Sequence, residues 1–150
     1  MRTRALLGLS AALGVVGVCS SGDLGAASIR NPSFQTPSRN IICDGDIADV
    51  RHTFMECGIK SGLVGARAPR RCAPGDPQGS RVYVPALGNG GRVLCAGDPG
   101  PFLYVHAPVL RYGQAWRGGG ITCVSARSGL KCTNRGGHGF FLSRQRWRVF

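Results

Sequence analysis

Short apolar runs, broken every few residues by glycine or proline, set the rhythm of the chain from Arg39 onward: RNIIC, FMECGI, RVYVPAL, GRVLC, FLYVHAPVLRY, GGITCVS, GLKCTN, GFFL and WRVF. None leaves room for a long amphipathic helix. Many short strands with frequent turn residues predict an all-β fold, a small antiparallel sandwich or barrel. The possible exception lies at residues 46–54, where Asp46 can cap a brief helix carrying Ile47, Val50 and Phe54 on one face, with a loop as the equal alternative.

The start of the chain follows a different rule. Residues 1–4 are basic, residues 5–18 form an apolar run too short to cross a bilayer, and a tract of small residues follows. That layout is a secretory signal, expected over residues 1–27 with cleavage before Ser28. Residues 28–38, with Pro32 and Pro37, then read as an extended lead-in, and residues 39–150 as a single β domain. The expected location is secreted, periplasmic or cell-envelope, with no transmembrane span in the mature chain. Cys19 supplies a competing reading as the lipid-modified residue of a lipoprotein, against which Val18 is bulky where such a signal has Gly or Ala.

Six cysteines remain beyond the signal: Cys43, Cys57, Cys72, Cys95, Cys123 and Cys132. An even count in an exported chain predicts three disulfides. The stretch ITCVSARSGLKCTN reads as a tight hairpin closed by a loop from Ala126 to Gly129, in which Val124 faces Lys131 and Cys123 faces Cys132. Such opposed cysteines are close enough to bridge. Proximity in sequence adds Cys43 with Cys57 and Cys72 with Cys95. Zinc is the competing use of cysteine. No Cys-x-x-Cys pair is present and no histidine stands at ligand spacing, so no metal, redox motif or cofactor is expected.

Charge narrows the class of partner. The formal net charge is +12, carried almost entirely by arginine, and losing Arg2, Arg4 and Asp23 with the signal leaves 17 basic against 6 acidic side chains. Such a field attracts anionic partners: wall polymers, anionic lipid, sulfated or uronic glycans, and nucleic acid. GC-rich codon usage is the plainer source of the same arginines. The candidate binding residues are Arg67, Arg70 and Arg71 in a proline-rich loop, and Arg144, Arg146 and Arg148 near the end. The last three are expected on one face of a closing strand, with Gln145, Trp147 and Val149 on the other. Trp116 and Trp147 are the expected core anchors, with Phe102, Tyr104 and Tyr112 beside them.

The segment GGHGFFLSRQRW poses the catalytic question. His138 as a general base would need a nucleophile and an orienting acid. No Gly-x-Ser-x-Gly elbow exists, every cysteine beyond the signal is assigned to a disulfide, and Asp98 with Ser143 would complete a triad only on paper. Paired carboxylates for glycoside hydrolysis are scarce, since Glu56 is the only glutamate and Asp44, Asp46, Asp76 and Asp98 each neighbour Gly or Pro. The segment is therefore read as a glycine-permitted corner that sends Phe140, Phe141 and Leu142 onward into the core. His138 is a candidate binding residue at its tip.

Together these residues resemble a family. FQTPSRNIIC at residues 34–43, and the combination of Tyr112-Gly113, Cys123, Ser128-Gly129, Cys132, Asn134 and Gly137-His138-Gly139-Phe140, are similar to a family of small exported bacterial proteins known as a domain of unknown function. The resemblance spans residues 34–150 and is densest after Pro108. Arg39 departs from it, standing where the family pattern has a turn glycine. The resemblance implies export and a cysteine-stapled domain, and it assigns no activity. The leading expectation is a non-enzymatic binding module for an anionic envelope polymer. A protein-binding module, such as an inhibitor of a secreted hydrolase using residues 69–79 or the His138 turn, is the alternative.

Overall fold

A computed structural model describes residues 32–65, 81–95 and 99–150. The expected signal peptide with Cys19, the loop arginines Arg67, Arg70 and Arg71, Cys72 and Asp98 lie outside the described residues. Two five-stranded antiparallel meanders make up the fold. The first runs β1 (Phe34–Gln35), β2 (Ile41–Asp46), β3 (Phe54–Ile59), β4 (Arg81–Pro85) and β5 (Arg92–Leu94). The second runs β6 (Ala115–Gly118), β7 (Ile121–Ala126), β8 (Gly129–Asn134), β9 (Gly139–Leu142) and β10 (Trp147–Val149). Within each sheet every strand pairs with its neighbours in sequence.

The two sheets repeat one design in register. Across the first, Phe34 opposes Cys43, Cys43 opposes Cys57, Cys57 opposes Val82 and Val82 opposes Val93. Across the second, the row is Trp116, Cys123, Cys132, Phe140 and Val149. An aromatic, a disulfide and two further apolar side chains thus occupy equivalent places in each half. Strand alternation turns both rows inward, and Phe34 meets Trp116 with ring centroids 6.0 Å apart. Phe34, Trp116 and Phe140 are essentially inaccessible, and each contributes about 2–3 kcal/mol by its burial. The core is the set of these rows with Ile41, Met55, Ile59, Val84, Ile121, Leu130 and Leu142.

The connection between the halves corrects the sequence reading. FLYVHAPVLRY is not a strand: Gly100–Tyr104 is a short 3₁₀ turn and Val109 makes one isolated parallel bridge to Gln35. Pro99, Pro101 and Pro108 lack the N–H groups that a ladder needs. The segment crosses the outer side of the first sheet, where Gly58 lies directly under the Phe102 ring: a Cβ at residue 58 would stand 2.6 Å from that ring. Gln35 holds the connection down by donating from Nε2 to the Val105 and Ala107 carbonyls, at 3.2 and 2.7 Å. Tyr104 and Tyr112, expected in the core, are exposed because both lie on this connection or just beyond it. The helix considered at residues 46–54 is not formed. β2 continues to Asp46, whose carboxylate accepts from Ala48 N–H in a turn.

Candidate functional site

At the glycine-histidine corner the organising residue is Asn134, 6% exposed. Its Oδ1 accepts from the N–H groups of Gly136 and His138, at 2.9 and 3.1 Å. Its Nδ2 donates across to the carbonyls of Pro85 and Gly88, at 3.1 and 3.2 Å. One amide thus shapes the β8–β9 turn and ties it to the first sheet. Gly137 takes a positive φ of 79°, and at residue 139 a Cβ would fall on the Cys132 carbonyl. His138 is half-buried at this corner, while Ser143 lies past the far end of β9. Four strand residues separate them by ~15 Å. Ser143 is also occupied: its hydroxyl donates to Arg146 O and accepts from the N–H groups of Gln145 and Arg146.

That serine turn divides the three C-terminal arginines. The expected alternation from Arg144 begins later, because residues 143–146 form the turn and β10 starts at Trp147. Arg144 projects at the end of the sandwich, whereas Arg146 and Arg148 lie on the outer face of the second sheet. Trp147 is a half-buried partner of the core, not one of its anchors, and its indole N–H donates to Val64 O at 2.9 Å.

The register identifies what else shares that outer face. Val124, Lys131, Phe141 and Arg148 form one cross-strand row. Arg117, Thr122, Thr133 and Gly139 form the next, which Phe150 extends through its paired backbone bonds with Gly139. Cations and rings interleave. Arg146 stands 5.1 Å from the Phe141 ring centroid, and Arg148 and Lys131 stand 4.9 and 5.7 Å from that of Phe150. Phe141, Arg146, Trp147 and Arg148 border a pocket of about 200 Å³. Stacking a guanidinium on a ring adds about 0.5–1 kcal/mol at an exposed site and holds the cation in place.

Charge is segregated between the halves. Residues 99–150 carry eight arginine and lysine side chains and no aspartate or glutamate. Every described carboxylate side chain belongs to the first half, and the best buried one is already neutralised: Glu56 pairs with Arg81 at 2.9 Å, beneath the Gly100 turn. On the β2–β3 loop Asp49 and His52 pair at 2.6 Å. The hydrogen bond from His52, then that from Arg51 N–H, lowers Asp49, and the same carboxylate raises His52 above its ordinary value. Among the described residues no carboxylate side chain pairs with Arg117, Lys131, Arg146 or Arg148. Sequence reasoning missed Arg117, Lys131 and Phe150, although the hairpin register already turned Lys131 away from Cys132.

The cysteines hold this face rigid. Cys43–Cys57 and Cys123–Cys132 are disulfides between directly opposed residues, each with Cα atoms 4.0 Å apart. Cys95 is also disulfide-bonded, and its expected partner Cys72 lies outside the described residues. Such bonds persist in oxidising compartments, which supports an extracellular or periplasmic location. Among the described residues no helix is long and apolar enough to cross a membrane. No curated protein and no solved structure matches the chain. A family model does match it over residues 11–150, covering both sheets and their connection. The chain therefore belongs to the family of unknown function DUF6636.

Proposed function

We propose that this protein is an exported, non-enzymatic module of the cell envelope or its surroundings that holds an anionic polymer against the outer face of β6–β10. The observation that carries the reading is the half without aspartate or glutamate, whose Lys131, Arg146 and Arg148 are arrayed over Phe141 and Phe150. A sheet face repeats its side chains about every 7 Å along a strand and 4.8 Å across strands. A rigid grid of cations at that spacing suits a ligand with regularly repeated negative charge. The interleaved rings add apolar contact to the sugar or base units between charges.

The test is binding of the oxidised protein to an immobilised polyanion, such as a uronate polymer, at increasing salt. Raising ionic strength from 0.01 to 0.1 M shortens the screening length from about 30 to about 10 Å, so affinity should fall steeply. A variant with Lys131, Arg146 and Arg148 all changed to Gln should bind weakly at both salts. Affinity that ignores both salt and the triple substitution would refute the proposal.

One observation favours a second reading, a protein-binding module such as an inhibitor of a secreted hydrolase. Leu103 is 68% exposed at the crest of the connection, with Tyr104 and Val105 each 42% exposed beside it. A rigid protruding loop is pre-organised for insertion into a partner. A stoichiometric complex with a secreted protein, abolished by Leu103→Asp and insensitive to the arginine substitutions, would replace the polymer reading.

A further inference from the structure

A second basic site lies at the end of the sandwich, apart from the outer face. Three turns converge there: β1–β2, β7–β8 and β9–β10. Between them opens a cleft of about 260 Å³, bordered by Ser38, Tyr112, Arg127, Ser128, Arg144 and Gln145. Its walls are fixed by the backbone. Gly113 N–H donates to Ser125 O at 2.8 Å and Ser125 N–H to Gln114 O at 3.0 Å, which extends the β6–β7 pairing and sets Tyr112 at its tip. The β7–β8 turn is only Arg127 and Ser128, since Ala126 pairs with Gly129. On the third side, Ser143 closes the turn that presents Arg144 and Gln145.

The polar groups divide into those already used and those still available. Thr36, Asn40 and Ser143 also border the cleft, and their side chains are already bonded, to Ser38, Ser61 and Arg146 in turn. Among the described residues the Tyr112 hydroxyl, the Ser128 hydroxyl, the Gln145 amide and the Arg144 guanidinium have no partner. Arg127 stands 5.4 Å from the Tyr112 ring centroid, so a cation and a ring form one platform. Among the described residues no carboxylate side chain borders the cleft. On the β1–β2 wall, between Ser38 and Asn40, Arg39 holds a φ of 54° and is the one non-glycine residue with positive φ among the described residues.

We propose that this cleft receives a single anionic sugar unit, with Arg127 and Arg144 on its carboxylate or phosphoryl group and Tyr112 against its ring. Three observations favour that class. The volume sits just below the range of about 300–1,000 Å³ usual for ligand pockets, which suits one ring and excludes a nucleotide or an oligosaccharide held end to end. Planar guanidinium groups match carboxylate and phosphoryl oxygens in pairs. The available hydroxyl and amide groups suit the hydroxyls of a sugar. The inference rests on the anionic-polymer reading and deepens it: the outer face would follow the polymer along its length, while the cleft reads one unit of it.

The experiment is an NMR titration of the ¹⁵N-labelled, oxidised protein with glucuronate, glucose 6-phosphate and glucose. Glucuronate or glucose 6-phosphate should shift the amides of Ser38, Tyr112, Ser128 and Gln145 saturably, with glucose at least about tenfold weaker, the equivalent of one charge-assisted contact. Preference between the two acidic sugars tells a uronate polymer from a phosphorylated one. Tyr112→Ala and, separately, Arg144→Gln should each weaken the acidic sugar about tenfold, whereas the outer-face triple variant should leave it unchanged. Shifts that are unsaturable, equal for glucose, or indifferent to both cleft variants would overturn the proposal. If the triple variant alone loses polymer and the cleft variants alone lose the sugar unit, each site stands on its own result.

Discussion

Replacing Arg39 by glycine should stabilise the protein. Thr36, Pro37, Ser38 and Arg39 form a turn in which Arg39 N–H donates to Thr36 O at 2.8 Å, and Thr36 N–H then donates to Ile41 O at 3.0 Å. Arg39 is the residue that follows a tight turn and closes a bulge, a place where the backbone is left-handed and glycine is favoured. For an L-residue that conformation costs about 1–2 kcal/mol. Glycine gives back part of this through its greater freedom in the unfolded chain, about 0.5–1 kcal/mol. The net gain is about 0.5–1 kcal/mol, a rise of roughly 2–5 °C in Tm for a domain of this size. Arg39→Ala separates the causes. Alanine also removes a cation from a strongly basic protein, yet keeps the strain, so it should leave Tm nearly unchanged. Thermal unfolding of the three proteins with disulfides intact decides the matter. Equal stabilisation by alanine and glycine would place the effect in charge repulsion and refute the strain argument.

Three further perturbations test the framework. Asn134→Ala removes four hydrogen bonds from a nearly buried amide that joins the two sheets, and should cost ~2–4 kcal/mol in denaturant unfolding; a loss below about 1 kcal/mol would mean that the corner is held elsewhere. The double variant Cys123→Ala with Cys132→Ala opens a closure of sequence separation 9 and should lower stability by roughly 2.5–3 kcal/mol, read from the same unfolding curve. The Asp49–His52 pair sets a pH window with a defined sign. His52 is raised from 6.5, so its contribution is complete below that value and is lost as pH rises through the folded value. Asp49 is lowered from 3.8, so its contribution holds above 3.8 and is lost as pH falls through the folded value. Asp49→Asn should return the His52 ring titration, followed by NMR, toward its ordinary value, and an unmoved titration would reject the pairing.

Local geometry explains what could be read in advance. In the Cys123–Cys132 hairpin, side-chain parity and a short turn were enough to place Val124 opposite Lys131, and that register is observed. The turn is tighter than expected, Arg127 and Ser128 alone, because Ala126 and Gly129 still pair. Parity failed for Arg144 because the Ser143 hydroxyl stops the strand and reverses it. The connecting segment failed for a different reason. FLYVHAPVLRY has strand composition, but its prolines and the absence of a free partner strand leave it as cover for Gly58 and Gln35.

The chain by itself determined an all-β domain, the two local disulfides and the corner at His138, since alternation, turn residues and cysteine spacing act between near neighbours. Only the tertiary structure decided that two meanders repeat one row of aromatic, disulfide and apolar residues, and that Phe34 meets Trp116 across the core. It also separated Arg144 from Arg146 and Arg148, and brought Arg127, Tyr112 and Arg144 to a common cleft. Phe34 and Trp116 stand more than eighty positions apart, and the cleft residues come from separate turns. Such meetings follow from how the sheets pack and how their turns gather at one end, which no local alternation encodes.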